Sequence, residues 1–139
     1  MKKSLFFTIL LITTIITVSA KQDFSSSLRT CSSYSESGSV TTEGMDVSST
    51  KQIVGWEDNK CVYKETINFA GINSTVTCKL TKPQIDELVS VMNAYSLVQQ
   101  YSNESVDTST LSGVQNNPVV KVWSKFLQDS STCTMTGIK

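Results

Sequence analysis

Four cysteines, Cys31, Cys61, Cys78 and Cys133, constrain this chain more than any other feature, because they follow a segment with the pattern of an export signal. In residues 1–20, Lys2 and Lys3 precede an apolar run from Leu5 to Val18, and Val18-Ser19-Ala20 places small side chains ahead of a cut. That combination is the signature of a secretory signal peptide. A membrane span needs roughly 20 apolar residues, whereas this run is shorter and broken by Thr8, Thr13, Thr14 and Thr17. Residues 1–20 are therefore expected to be removed. Residues 21–139 are expected to form one disulfide-stabilised domain, secreted or periplasmic, with no membrane span after cleavage.

An even number of cysteines behind such a signal points to two disulfides. Metal or dithiol redox chemistry wants close pairs such as C-x-x-C, and the gaps here are 30, 17 and 55 residues. Four cysteines allow three connectivities. If 60–67 and 72–80 form a hairpin around the loop Asn68–Gly71, Cys61 faces Cys78 at bridging distance, leaving Cys31 for Cys133. A register two residues away instead frees Cys61 for Cys31 and leaves Cys78 for Cys133.

Removing 1–20 leaves 119 residues with 10 basic and 12 acidic side chains, 33 of them Ser or Thr. That charge balance argues against a nucleic-acid binder, which needs clustered Lys and Arg. The chain has no histidine, which removes Ser-His-Asp and Cys-His catalysis, HExxH zinc sites and histidine pH switching. No G-x-S-x-G nucleophile elbow is present, and no cofactor is expected.

Hydroxyl side chains at this density favour strands, turns and caps. Residues 21–30 offer little apolar surface beyond Phe24 and Leu28 and are expected to be a loose leading segment. One or two short edge strands are expected around Tyr34 and Val40. Thr50–Trp56 and Lys60–Phe69 then form a hairpin about Asp58-Asn59, residues that tolerate positive φ. Centring it there pairs Trp56 with Cys61 and Val54 with Tyr63. Alternation puts Val54, Trp56, Cys61, Tyr63, Ile67, Phe69, Val76, Cys78 and Leu80 on one face. Gln52 and Glu65 share that parity and are expected near an edge.

A cover for this face follows in the sequence. Thr81 and Gln84 make a capping box with Pro83 in the first turn. Ile85, Leu88, Val89, Met92 and Tyr95 recur at helical spacing, with Val91 and Val98 widening the stripe. This helix is expected over about Lys82 to Tyr101, with Asp86 and Glu87 placed to favour its dipole. After a polar connection over 102–116, Asn117-Pro118 opens a second helix carrying Val119, Val122, Trp123, Phe126 and Leu127. The expected fold is α+β: a small antiparallel meander of three or four strands with two helices on one face.

Tyr34, Trp56 and Tyr63 are the aromatic residues from which a binding platform could be built, although their shared parity with the aliphatic face also suits a core. Glu36, Glu43 and Asp46 gather in a glycine-punctuated segment, where paired carboxylates would be needed for glycoside hydrolysis. The function expected is an exported, non-enzymatic binding or interaction module acting on an extracytoplasmic protein, as an accessory factor, inhibitor or surface-assembly subunit. The alternatives are a small hydrolase using carboxylates or a Ser-Lys pair, and a secreted effector.

Overall fold

A computed structural model describes residues 22–42, 44–102 and 116–137. The elements run α1 (Gln22–Thr30), β1 (Tyr34–Thr42), β2 (Met45–Glu57), β3 (Lys60–Phe69), β4 (Ile72–Leu80), α2 (Lys82–Ser102), α3 (Pro118–Gln128) and β5 (Cys133–Thr136). The five strands make one antiparallel sheet in the order β1-β2-β3-β4-β5. This is an α+β fold which, among the described residues, has one more strand and one more helix than expected. The signal segment, Glu43 and the polar connection over 103–115 lie outside the described residues. No helix among the described residues is long and apolar enough to cross a membrane.

Two tight turns set the register. Asp58 and Asn59 take φ of 50° and 62°, and Ala70 and Gly71 take 50° and 80°, the left-handed pairs of two-residue hairpins. Around Asp58-Asn59 the expected pairing of Trp56 with Cys61 is present. The second turn is shorter than the expected four-residue loop, so Phe69, not Ile67, faces Ile72. That moves the β3–β4 register by two residues. Cys78 then lies opposite Tyr63, and Cys61 lies opposite Leu80.

The disulfides follow from this shift. In place of the expected Cys61–Cys78 and Cys31–Cys133, the bridges are Cys31–Cys61 and Cys78–Cys133. Cys78 and Cys133 are opposed residues of β4 and β5, with Cα atoms 4.1 Å apart. Cys31–Cys61 ties the end of α1 to the start of β3. Two buried bridges in a domain this small suit an oxidising compartment.

β2 departs from simple alternation. Its register against β3 shifts between Ile53 and Gly55, a β-bulge in which Val54 is the extra residue and Gly55 takes φ 131°. Only glycine adopts that conformation without strain. Ile53 therefore faces Tyr63 where Val54 was expected. The inward residues of β2 are Val47, Ser49, Lys51 and Ile53, while Val54 and Trp56 are exposed. Parity on β3 and β4 agrees with expectation at Cys61, Tyr63, Ile67, Val76, Cys78 and Leu80, all buried.

The described helices α1, α2 and α3 cover the inward face. The capping box forms as expected: Gln84 Oε1 accepts from the Thr81 backbone N–H at 2.8 Å, and Gln84 N–H donates to Thr81 Oγ1 at 3.4 Å. Ile85, Leu88, Val89 and Met92 are buried. Asp86 and Glu87 act through neighbours more than through the dipole, since Asp86 pairs with Lys82 and Glu87 accepts from Lys125 of α3. Asn117 caps α3, its Oδ1 accepting from Val119 N–H at 2.9 Å. Residues 22–30 form a helix because Phe24 and Leu28, one turn apart, share a buried face.

Proteolysis without reduction should release one linked pair of peptides containing Cys31 and Cys61 and another containing Cys78 and Cys133. A Cys61–Cys78 peptide would contradict the β3–β4 register.

Candidate functional site

The inward face of the sheet holds a row of charge where a core would ordinarily be apolar. Glu36 of β1, Lys51 of β2 and Glu65 of β3 stand side by side in the register, with Val76 of β4 next. Lys51 is 1% exposed and Glu65 3%. Two residues up each flanking strand, tyrosines reach into the row. Tyr34 Oη donates to Glu36 Oε2 at 2.9 Å, and Tyr63 Oη donates to Glu65 Oε2 at 3.0 Å. Lys51 Nζ makes no hydrogen bond and lies 5.1 Å from the centre of the Phe24 ring of α1.

Burial pushes the Lys51 ammonium below the usual lysine range, partly opposed by the charges of Glu65 and then Glu36. Burial also drives the Tyr63 phenol well above its ordinary value, assisted by the charge and hydrogen bond of Glu65 and the charge of Glu36. The cation–π contact with Phe24 recovers on the order of 1–2 kcal/mol for a desolvated ammonium. Burying a charge without hydrogen bonds costs several kcal/mol. The row is thus held in place by what surrounds it.

α1 is the cover over this row. Phe24 packs edge-on against Tyr34 and Tyr63, with ring centroids 5.6 and 6.0 Å away. Ser25 Oγ donates to Asn93 Oδ1 of α2 at 3.2 Å. The helix ends in a Schellman arrangement: Ser32 N–H donates to Ser27 O at 2.8 Å and Cys31 N–H to Leu28 O at 3.1 Å. Cys31 takes the left-handed position of that motif at φ 52°, a place glycine usually fills, and it is bridged to Cys61.

The opposite face of the sheet is mostly polar, with Val62 buried on it near the β2–β3 turn. Its rows read Ser35–Gln52–Lys64–Thr77–Thr134, Ser37–Thr50–Thr66–Thr75–Thr136 and Ser39–Ser48–Asn68–Asn73. Neighbours across strands bond to one another: Ser37 with Thr50 at 2.9 Å, Thr66 with Thr75 at 3.2 Å, and Asn68 Nδ2 to Asn73 Oδ1 at 2.9 Å. β1 is the outermost strand on one side, and four-residue β5 on the other. Thr42 and Met45 close a two-residue connection. In such a hairpin the closing pair is hydrogen-bonded and the pattern alternates. Val40 and Gly38 therefore bond inward to β2, while the backbone N–H and C=O groups of Ser37, Ser39 and Thr41 point away from β2.

The residues singled out from the sequence part company here. Tyr63 is buried beneath Trp123 and Phe24, Tyr34 is half-buried against Phe24, and Trp56 is 49% exposed at the end of β2. No shared aromatic platform results. Glu36 points inward, whereas Asp46 lies on the outer face and accepts from Thr41 Oγ1 at 2.7 Å, so these two cannot flank one bond. Glu65, expected near an edge, belongs to the central strand. Ser48 and Lys51 have S-x-x-K spacing, but on a strand residues three apart face opposite sides. Lys51 escaped notice because the bulge reverses the parity of β2. Its signal was the alternation Val47, Ser49, Lys51, Ile53 opposite a conspicuous Glu65.

Comparison with protein-family models, with curated proteins and with solved structures finds no significant match to this chain.

Lys51→Met alone should cost about 3–5 kcal/mol, because it removes the cation beside the buried Glu65 carboxylate. Adding Glu65→Gln, which keeps an acceptor for Tyr63, should recover most of that loss in a denaturation cycle. Additive losses would show that the two charges do not interact. The pH dependence has a defined sign. A lysine whose folded pKa lies below its ordinary 10.5 contributes most above pH 10.5 and loses that contribution as pH falls through the folded value. Wild-type stability relative to the double variant should therefore rise as pH approaches 10.5 from below. A falling difference would contradict a destabilised ammonium.

Proposed function

We propose that this domain is an exported, non-catalytic binding module that takes an extended segment of an extracytoplasmic protein onto the outer side of β1. One observation carries the reading: the two edges of the sheet are finished differently. β5 is four residues long and ends at Gly137 with φ 89°. β1 runs for nine residues in unbroken register with β2 and contains no Pro, no Lys and no bulge, the devices that ordinarily keep an edge strand from pairing. Its one charge, Glu36, faces Lys51 in the inward row. Strand addition draws affinity from main-chain hydrogen bonds, and Ser37, Ser39 and Thr41 supply them in sequence.

The composition of β1 suits this reading. Ser, Thr and Gly dominate there, and the buried Lys51 and Glu65 are closed off by Phe24. Enclosure of those groups weighs toward binding and against the hydrolase alternative, since a substrate would have to displace α1. A secreted effector is one biological setting in which such a module would act, and it uses the same surface.

Edge chemistry separates main-chain from side-chain recognition. A partner recovered from extracellular fluid by the oxidised protein should be lost on Ser39→Pro, which removes one outward N–H yet leaves the β1–β2 ladder intact. Ser39→Ala keeps that N–H and should retain the partner. Equal capture by Ser39→Pro, or equal loss with both variants, would refute strand addition at β1.

A further inference from the structure

We propose that α1 is a lid over the Glu36–Lys51–Glu65 row and that the Cys31–Cys61 disulfide is the lock that keeps it shut. This inference is independent of the β1 edge. It stands on four features that meet at one place. α1 has nine residues, fewer than a helix needs to persist by itself in water. Its large apolar side chains are just two, Phe24 and Leu28, both buried. The group Phe24 closes over is an ammonium with no hydrogen-bond partner, which favours water over this enclosure. Finally, the residue that ends the helix, Cys31, is bridged to Cys61 next to the β2–β3 turn, so the bond holds the hinge end of α1 against the sheet.

The other disulfide has a different place. Cys78–Cys133 joins opposed residues of adjacent strands, and neither residue belongs to α1 or its C-terminal cap. The sheet and its cover by α2 and α3 have attachments of their own: β3 and β4 are paired along nine residues, α2 and α3 pack on each other, and Trp123 packs against Tyr63 and Phe126. Loss of the first bridge should therefore free α1 while the remainder stays folded.

Closure is a thiol–disulfide exchange with an external disulfide as oxidant. The thiolate of one cysteine attacks a sulfur of the oxidant and forms a mixed disulfide, expelling the first thiol. The second thiolate then displaces the other half. Cys31 and Cys61 together give up two electrons and two protons, and the oxidant leaves as two thiols. Before oxidation, Lys51 and its flanking carboxylates remain accessible to water; afterwards Phe24 seals them. Both sulfurs are then buried, with Cys31 at 4% and Cys61 at 0% exposure, so the lock resists reductants once closed. The device ties completion of the fold to arrival in an oxidising compartment.

Acylation of lysine amines under native conditions, read by peptide mass spectrometry, tests the lock, with exposed Lys64 as the internal reference. In oxidised wild type and in Cys78→Ala/Cys133→Ala, Lys51 should react at least about tenfold more slowly than Lys64. In Cys31→Ala/Cys61→Ala its rate should rise to within a few-fold of Lys64, while backbone amides of β3 and β4 keep their protection from hydrogen exchange. Persistent protection of Lys51 in that variant would overturn the proposal. So would simultaneous loss of β3–β4 protection, which would make the bridge a staple of the whole fold.

Discussion

The two-residue turn at Ala70-Gly71 fixes the register on which the rest of the structure depends. It places Phe69 against Ile72 and so Tyr63 against Cys78. With that register Cys61 has no cysteine opposite it on β4 and is left for Cys31, while Cys78 meets Cys133 on the far side. A turn longer by two residues would align Cys61 with Cys78, and the chain ends would be bridged to each other. The turn therefore determines whether α1 is fastened to the sheet and whether β5 is fastened to β4. Both attachments are made by bonds between elements distant in sequence, for which the unfolded chain carries the entropic cost.

The row Glu36–Lys51–Glu65 is the second consequence. Three charged residues on adjacent strands occupy part of the face that packs against the helices, where leucine or valine would contribute more to stability. What such a row offers is specification. A one-residue slip of β2 would turn Lys51 to solvent and take the cation away from the buried Glu65 carboxylate. The bulge at Val54-Gly55 acts in the same direction, because it sets which parity of β2 faces inward. Register, bulge and charge pairing thus favour the same arrangement of strands.

Helices with strong local signals were legible in the sequence. The capping box at Thr81 and Gln84, the first-turn prolines and the recurring Ile85, Leu88, Val89 and Met92 are local patterns, and the structure follows them closely. The Asp58-Asn59 hairpin was legible for the same reason. What escaped were features that depend on a single residue of backbone offset. One extra residue at Val54 exchanges Val54 and Gln52 for Ile53 and Lys51 on the inward face. An alanine in a left-handed turn position shortened the Ala70-Gly71 connection. α1 was hidden because two apolar residues in nine are too few to stand out without the sheet beneath them. The candidate site suffered most, since Lys51 and Glu65 become a pair only once the bulge is known, and the availability of β1 depends on which strand ends the sheet.

The inward and outward faces play separate parts in the functional account. Inside, the Cys31–Cys61 disulfide fastens α1 over a buried charge; outside, the proposed role of β1 is to offer its backbone to a partner. That second claim is tested most directly by residue-resolved hydrogen exchange of the free oxidised protein. Amides of Gly38 and Val40, bonded to β2, should exchange slowly, and those of Ser37, Ser39 and Thr41 quickly, alternating along one strand. Uniformly slow exchange from Ser37 to Thr41 would mean the outer side of β1 is already occupied, and the account of its availability would be contradicted.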